Sequence, residues 1–190
     1  MPQSQHVQSG EIVLVALGAN QGDARQTVLS AFGALRACFG DVAVSRMYQT
    51  PAFPAGAGPD FVNAACVFYS DLAAPDVLAR LHRIEADFGR TRTQRWGPRT
   101  LDLDLIACGA QIAPDAAVFQ QWRELPPDLQ SLEVPDCLVL PHPRLQDRPF
   151  VLIPLADVAP HWRHPVLGQT VLEMLSDHSV ALRADVVVLT

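Results

Sequence analysis

The chain has 190 residues, 49% of them hydrophobic, and carries a formal net charge of -6. This length and apolar content suit a single domain with its own core, and the acidic balance argues against a nucleic-acid-binding surface. No apolar run approaches the roughly 20 residues of a membrane span, and residues 1–10 lack the features of a signal peptide. We therefore expect a cytoplasmic, monomeric protein that binds neither nucleic acid nor membrane, with one domain over residues 1–190 and a flexible leader at 1–10.

The first half of the chain alternates strand and helix patterns. Apolar or alternating runs predict strands at residues 11–17, 42–48, 61–70 and 100–108. Apolar residues at helical spacing predict two helices, one ending at Gly40 and the other at Gly89. Residues 50–60 and 90–99 read as loops. The order β-α-β-β-α-β predicts an α+β, ferredoxin-like sandwich, with a mainly antiparallel sheet, helices packed on one face and the other face free for ligands.

The second half of the chain has weaker patterns. Residues 110–137 contain several prolines around a possible short helix at 116–122, and we treat them as an insertion of undetermined role. A further short helix is predicted at 150–156. Thr170 and Glu173 form the capping box of another helix, and residues 184–189 could add a final strand.

The cysteine, lysine and histidine content excludes several kinds of site. Cys38, Cys66, Cys108 and Cys137 are widely spaced, which predicts reduced thiols in or near the core and neither disulfides nor a zinc site. The chain has no lysine, so a P-loop is excluded. The histidines at 82, 161, 164 and 178 lack metal-ligand spacing, and we expect them at the surface or satisfied within the fold.

The most informative stretch is residues 95–104, which contains Asp102 and Asp104 on a predicted strand. Side chains alternate along a strand, so the two aspartates share one face while the leucines between and beside them share the other. Two nearby carboxylates repel unless a cation lies between them, and Mg²⁺ prefers oxygen ligands. An exposed acidic strand face is the alternative for an isolated pair of this kind.

A cluster of arginines precedes the aspartates and favours the metal interpretation. Four of the 14 basic residues lie within ten positions, at Arg90, Arg92, Arg95 and Arg99. Guanidinium groups bind phosphate oxygens with two parallel hydrogen bonds, which an evenly solvated surface does not require. The stretch therefore predicts a metal and a polyphosphate bound side by side.

From about residue 12 to 175, the chain resembles the 6-hydroxymethyl-7,8-dihydropterin pyrophosphokinase family. The shared motifs occur in the family's order and spacing. They are Leu17-Gly18-Ala19-Asn20, Tyr48-x-Thr50-Pro51, Asp60-Phe61-x-Asn63-Ala64, Arg83-Ile84-Glu85, Gly89-Arg90-x-Arg92, Arg95-Trp96-Gly97-Pro98-Arg99-Thr100-Leu101-Asp102-Leu103-Asp104, Pro141-His142-Pro143 and Arg148-x-Phe150-Val151-Leu152-x-Pro154-Leu155.

The resemblance implies transfer of pyrophosphate from ATP to a pterin alcohol, with release of AMP, in the biosynthesis of folate. It implies that Asp102 and Asp104 hold two Mg²⁺ ions that bridge the triphosphate. Arg90 and Arg99 match arginines that stabilise the transferring group. The positions that match ATP-binding residues are Glu85, Arg92, Arg95, His142 and Arg148. For Glu85, a structural pairing with an arginine is the alternative.

The resemblance also implies a pterin pocket. Phe61 and Phe150 match two stacking aromatics, although ordinary core packing is the alternative that their sequence context alone favours. Thr50 and Asn63 match hydrogen-bonding partners, and Phe53 matches an apolar cap. Trp96 matches the aromatic residue of a loop that closes over the site.

The chain departs from the family pattern mainly beside the aspartates. The loop from Gly89 to Trp96 is one residue shorter than in well-known members, and Thr93 stands where lysine is frequent. Two other readings of the chain stay open. One is a catalytically silent paralogue that binds a pterin or a nucleotide, and the other is an unrelated Asp-x-Asp transferase that uses a nucleotide sugar.

Overall fold

The computed structural model describes residues 10–52, 58–89, 100–126, 129 and 132–189. Its strands are β1 (Glu11–Ala19), β2 (Ala43–Val44), β3 (Tyr48–Thr50), β4 (Phe61–Ser70), β5 (Asp102–Cys108) and β6 (Val187–Val188). Its helices are α1 (Ala24–Phe39), α2 (Ala74–Asp87), α3 (Ala116–Arg123), α4 (Pro149–Val158), α5 (Val171–Ser176) and α6 (Val180–Ala184), with a 3-10 turn at Leu145–Asp147. No helix in these ranges is long and apolar enough to cross a membrane.

The strands form one antiparallel sheet in the order β5-β1-β4-β3-β6, and β2 also pairs with β4. Strand β1 lies between β5 and β4 and runs against β4 from Glu11 opposite Ser70 to Ala19 opposite Val62. Gly18, near the end of β1, lies opposite Asn63 on one side and Asp102 on the other. The predicted α+β class and the order of its first elements are confirmed, and the end of β1 becomes the meeting point of three strands.

Helix α1 shows how the local sequence sets the element boundaries. Asp23 caps the helix, because its side chain accepts the backbone N–H of Gln26 at 2.9 Å. The apolar face then places Val28 and Leu35 in the core. Gly40 ends the helix with φ of 84°, a conformation in which glycine avoids the steric cost of a side chain. The predicted end at this glycine is confirmed.

The sheet is covered on both faces, which corrects the expectation of helices on one face only. Helices α1 and α2 pack against residues such as Val15 and Leu17 of β1. On the opposite face, Leu14 of β1 packs in a second core with Leu152 and Leu155 of α4. The physical reason lies in β1 itself, since its residues 13–17 are buried whichever face they point to. Polar residues remain on this second face around the end of β1.

The predicted strand at 42–48 is split into β2 and β3 by an interruption at Ser45. The Ser45 hydroxyl accepts the backbone N–H of Ala65 at 2.8 Å and donates to the carbonyl of Arg46 at 2.6 Å. This side chain takes the place of a backbone acceptor in the ladder. The chain therefore turns locally before pairing with β4 again at Tyr48.

The described part of the 110–137 insertion is attached to the body of the protein. Ala113 and Leu140 form a two-way backbone bridge, with N···O distances of 2.9 and 3.0 Å. Asp115 caps α3, whose Phe119 is fully buried against the His164 ring at 5.7 Å between centroids. Cys137 is exposed, contrary to the expectation of a near-core thiol, because residues 132–138 lie largely at the surface.

The C-terminal region contains the predicted capping box and one unpredicted helix. Thr170 and Glu173 cap α5 reciprocally, as their spacing indicates. Helix α6 follows a Ser179 cap, and the final strand shortens to β6. Except for Gly10, the predicted leader lies outside the described residues.

Candidate active site

Two carboxylates lie on the second face of β5, beside the end of β1. Asp102 is opposite Gly18 and Asp104 is opposite Ala16, so small residues flank both aspartates on the neighbouring strand. The alternation of β5 buries Leu103 and Leu105 on the other face, as predicted. The Asp104 side chain is 41% exposed, and Asp102 is partly exposed. The two acids are therefore accessible from one side of the sheet.

Gly18 forms the floor between the aspartates and the next strand. A β-carbon built on Gly18 would lie 3.3 Å from Asn63 Oδ1 and 3.9 Å from Phe61 Cδ1. Its absence leaves the surface level between Asn63 of β4 and Asp102 of β5. The strand predicted at residues 11–17 extends to Ala19, so Gly18 lies within β1, and its steric role follows only from the strand register.

The segment before α4 brings the Arg148 guanidinium and the His142 ring near Asp104. Arg148 Nη1 lies 3.9 Å from Asp104 Oδ2. The backbone N–H of His142 donates to Ile106 of β5 at 2.8 Å, which fixes this segment beside the aspartates. Burial, and then the positive charge of Arg148, lower the pKa of His142 to about 4. The ring is therefore neutral at physiological pH.

The neutral His142 ring has a defined tautomer. The backbone N–H of Arg144 donates to His142 Nδ1 at 3.1 Å, so Nδ1 is an acceptor and the ring proton is on Nε2. Nε2–H can then act as a hydrogen-bond donor toward an anion. Arg144 was not predicted as a site residue, and its position two residues after His142 is the signal that could have identified it.

Phe61, Asn63 and Thr50 line the same face on the other side of Gly18. Asn63 Nδ2 donates to Thr50 Oγ1 at 2.6 Å, and both residues are buried. This bond orients the amide, so its oxygen lies toward Gly18. Phe61 is only partly buried, which does not fit an ordinary core residue. The three residues present a hydrogen-bonding edge next to an aromatic ring.

A second aromatic ring comes from the start of α4. Phe150 is 39% exposed, so the core alternative does not fit it either. The Arg148 guanidinium lies 5.8 Å from the centroid of the Phe150 ring, within the range of a cation–π interaction. Arg148 thus contacts both the aromatic side and the acidic side of the site.

Glu85 occupies a different position from the other predicted residues. It is 1% exposed on α2, and its Oε1 accepts the backbone N–H of Leu103 at 2.7 Å. This contact anchors Leu103, the second residue of β5, between the two aspartates. The partner in this contact is a backbone N–H and not the arginine of the structural alternative, and ATP binding by Glu85 stays a prediction.

The remaining predicted residues lie outside the described ranges. They are Phe53, Arg90, Arg92, Arg95, Trp96 and Arg99. Of the predicted residues that the structure describes, it brings together Thr50, Phe61, Asn63, Asp102, Asp104, His142, Arg148 and Phe150.

The donor set fits Mg²⁺ held partly by a phosphate ligand. Within the described residues, no group of three or more His, Cys, Asp or Glu side chains could hold a metal ion. Asp102 and Asp104 instead offer two accessible carboxylates on one face. Mg²⁺ is typically bound by one or two carboxylates, with water and substrate phosphates completing its octahedron. The pair therefore suits a metal that arrives with a polyphosphate.

Comparison with known proteins shows which family the chain resembles in sequence. The family model for 7,8-dihydro-6-hydroxymethylpterin-pyrophosphokinase (HPPK) matches residues 14–160. A 2-amino-4-hydroxy-6-hydroxymethyldihydropteridine pyrophosphokinase of Synechocystis is 36% identical over 165 residues, covering 85% of this chain and 73% of the relative. One of the same name from Pseudomonas aeruginosa is 38% identical over 155 residues, covering 80% of this chain and 83% of the relative.

Solved structures share the fold at low sequence identity. The wild-type Plasmodium falciparum HPPK-DHPS matches with a TM-score of 0.61 and 13% identity. The same protein with pterin and p-hydroxybenzoate matches with a TM-score of 0.62 and 14% identity. Each match covers 90% of this chain, which spans less than half of those longer proteins, at 45% and 44%.

Proposed function

The chain belongs to the 7,8-dihydro-6-hydroxymethylpterin-pyrophosphokinase family, and we propose that it transfers pyrophosphate from ATP to 6-hydroxymethyl-7,8-dihydropterin in folate biosynthesis. The hydroxymethyl oxygen loses its proton to water and bonds to the β-phosphorus of ATP, the bond from that phosphorus to the α-phosphate oxygen breaks, and AMP leaves with that oxygen. One observation carries this proposal. The aspartate pair and the aromatic, amide-lined pocket share one face of the sheet, separated only by Gly18.

The pterin side of the site is suited to a flat heterocycle with a polar edge. Phe61 and Phe150 supply accessible aromatic surfaces, and Asn63, oriented by Thr50, supplies an amide. Phe53 would add an apolar cap. A pterin bound here with its hydroxymethyl group toward Gly18 and the aspartates would have a short approach to the phosphate chain.

The phosphate side of the site combines acids, a cation and a neutral donor. Asp102 and Asp104 would hold two Mg²⁺ ions, which neutralise phosphate charge and align the attacking and leaving oxygens. Arg148 lies beside Asp104, where it can bind phosphate oxygens. His142 presents a fixed Nε2–H donor that needs no proton loss or gain on binding.

Further roles are proposed from the family resemblance alone. Arg90 and Arg99 would stabilise the transferring group, Arg92 and Arg95 would bind ATP, and Trp96 would close over the pterin. We also propose that the chain is a single monomeric domain and acts in the cytoplasm, where ATP and reduced pterins are available.

The proposal is tested by product analysis. The purified chain is incubated with ATP, Mg²⁺ and 6-hydroxymethyl-7,8-dihydropterin, and nucleotides and pterins are separated by liquid chromatography with mass detection. We expect AMP and the pterin diphosphate in equal amounts, and neither product when EDTA replaces Mg²⁺ or when the pterin is omitted. Binding of both substrates without AMP would indicate a silent paralogue. A nucleoside diphosphate product would indicate a different transferase.

A further inference from the structure

A charged network joins the far end of α4 to the edge of the sheet. Asp157, in the last turn of α4, accepts hydrogen bonds from Tyr48 Oη at 2.8 Å and from the Arg46 backbone N–H at 3.1 Å. The Arg46 guanidinium adds contacts at 3.0 Å from Nε and 2.5 Å from Nη2. The same guanidinium lies 5.6 Å from the Tyr48 ring centroid. We call these three residues the helix clamp.

The helix clamp places a negative charge where a helix alone would disfavour it. Carboxylates near a helix C-terminus face the negative end of the helix dipole. Burial also opposes ionisation of Asp157, yet hydrogen bonds from Arg46 and Tyr48 lower its pKa below the usual 3.8. The two partners therefore outweigh both unfavourable effects.

The helix clamp begins at the interruption between β2 and β3. Ser45 stays joined to Ala65 of β4, because it donates its backbone N–H to the Ala65 carbonyl at 2.9 Å and accepts the Ala65 N–H with its hydroxyl at 2.8 Å. The next residue, Arg46, donates its backbone N–H to Asp157. Tyr48 then resumes the pairing opposite Asn63 of the pocket. The helix clamp is thus joined directly to the strand that carries Thr50.

Apolar packing alone does not fix the position of α4 along the sheet. The residues that α4 buries are Val151, Leu152, Pro154 and Leu155. Such contacts are non-directional and tolerate small shifts. Phe150 lies seven residues before Asp157, about 10 Å along the helix axis. A small movement at the Asp157 end would therefore displace the aromatic ring at the other end.

We propose that Asp157, with Arg46 and Tyr48, is a positioning group for the pterin pocket, because it sets the location of Phe150 relative to Phe61. Phe61 lies on β4 of the sheet and Phe150 lies on α4. The distance between the two rings therefore depends on how α4 is held against the sheet. The inference rests on the proposed function, since it assigns the two rings to one planar ligand.

The test compares Asp157→Asn and Tyr48→Phe with the unmodified chain. Neither residue is among those proposed to bind the pterin or ATP, and both substitutions nearly preserve shape. We expect the KM for the pterin to rise about tenfold in Asp157→Asn and about threefold in Tyr48→Phe, with the KM for ATP changed less than about twofold. Fluorescence of the pterin gives its Kd separately, and thermal melting reports stability.

Glu173→Ala is the matched control. It also removes a helix-anchoring carboxylate, which accepts the Thr170 N–H at 2.7 Å, but on α5. We expect its pterin KM to be unchanged. The positioning role would be overturned if Asp157→Asn raised the KM of both substrates equally or left the pterin KM unchanged. It would also be overturned if Glu173→Ala raised the pterin KM as much as Asp157→Asn. If Asp157→Asn does not fold, Tyr48→Phe decides on the same criteria.

Failure of the proposed function has a different signature. An unmodified chain that makes no AMP would contradict pyrophosphate transfer. The pterin Kd of the two variants would still measure the positioning role. An unmodified chain that binds no pterin would overturn both.

Discussion

At the scale of single residues, Asp104 is expected to matter for catalysis and little for the stability of the fold. Its side chain is 41% exposed, and its described ionic contact is the 3.9 Å approach of Arg148. Pairs of this kind contribute about 0–1 kcal/mol to folding. The same carboxylate lies at the centre of the proposed phosphate site, so its removal should affect chemistry far more than folding.

We expect Asp104→Asn to lower kcat by at least about a hundredfold while the free energy of unfolding changes by less than about 1 kcal/mol. Steady-state AMP production and urea denaturation measure the two quantities. Raising the Mg²⁺ concentration should recover part of the activity if metal affinity is the cause. A variant with normal kcat would contradict the assignment of Asp104 to the metal pair.

His142 allows a test of the ring proton. Asparagine approximates Nδ1 of histidine and glutamine approximates Nε2, so the two amides probe opposite sides of the ring. Because Nδ1 accepts the Arg144 N–H and Nε2–H is the proposed donor to the phosphates, we expect His142→Asn to raise the KM for ATP about tenfold. His142→Gln should raise it only about threefold. The reverse order would contradict the tautomer.

At the scale of secondary structure, regular elements were predicted well from the sequence and their interruptions were not. The strand at 61–70 was predicted with the observed ends, because an apolar run between turn residues is a local signal. The break at Ser45 has no such signal, since it depends on the N–H of Ala65 from a different strand. The contacts of Asp157 have no local signal either, because its partners Arg46 and Tyr48 are more than 100 positions away in sequence.

The Ser45 hydroxyl is expected to stabilise the fold. Ser45 is 7% exposed, and Ser45→Ala would leave the buried N–H of Ala65 without its acceptor. We expect a loss of about 1–3 kcal/mol in the free energy of unfolding by urea titration. Ser176→Ala, which removes an exposed hydroxyl contact with Glu173, should cost less than about 0.5 kcal/mol. Similar losses in both variants would contradict the special role of Ser45.

At the scale of the whole molecule, the sequence predicted the antiparallel sheet but missed the second packed face. The apolar residues on both sides of β1 indicate that both faces of the sheet are covered. The helix that covers the second face, α4, could not be identified from them because it lies far along the chain. The aspartates, Phe61 and Phe150 were singled out by residue type and family resemblance. Their spatial arrangement could not be predicted without the register of β1. That register is what places Asn63 and Asp102 on either side of Gly18.

His164 connects the insertion to the C-terminal part and makes stability depend on pH. It is fully buried between Phe119 and Trp162, and its Nδ1 accepts the N–H groups of Val166 and Leu167 at 3.2 Å. Burial, and then the charge of Arg123, lower its pKa from 6.5 to about 4. Between these values the unfolded chain binds a proton that the folded chain does not, so stability falls as the pH falls.

We expect His164 to reduce the free energy of unfolding by roughly 3 kcal/mol between pH 7 and pH 4. His142, with a pKa also lowered to about 4, contributes in the same direction. His164→Asn keeps an acceptor near Nδ1 but cannot titrate. His164→Asn should therefore remove the roughly 3 kcal/mol that His164 contributes to the loss of stability between pH 7 and pH 4, measured by urea titration at each pH. An unchanged slope would contradict the burial of a neutral ring.

Gly18 also limits how this site can change during evolution. A β-carbon there would press on Asn63 Oδ1 and rise between the proposed pterin pocket and the aspartates. If the two halves bind the pterin and the phosphates as proposed, a substitution at Gly18 would disturb both. An inhibitor that spans both halves across the glycine would then leave the chain no substitution at this position that spares substrate binding.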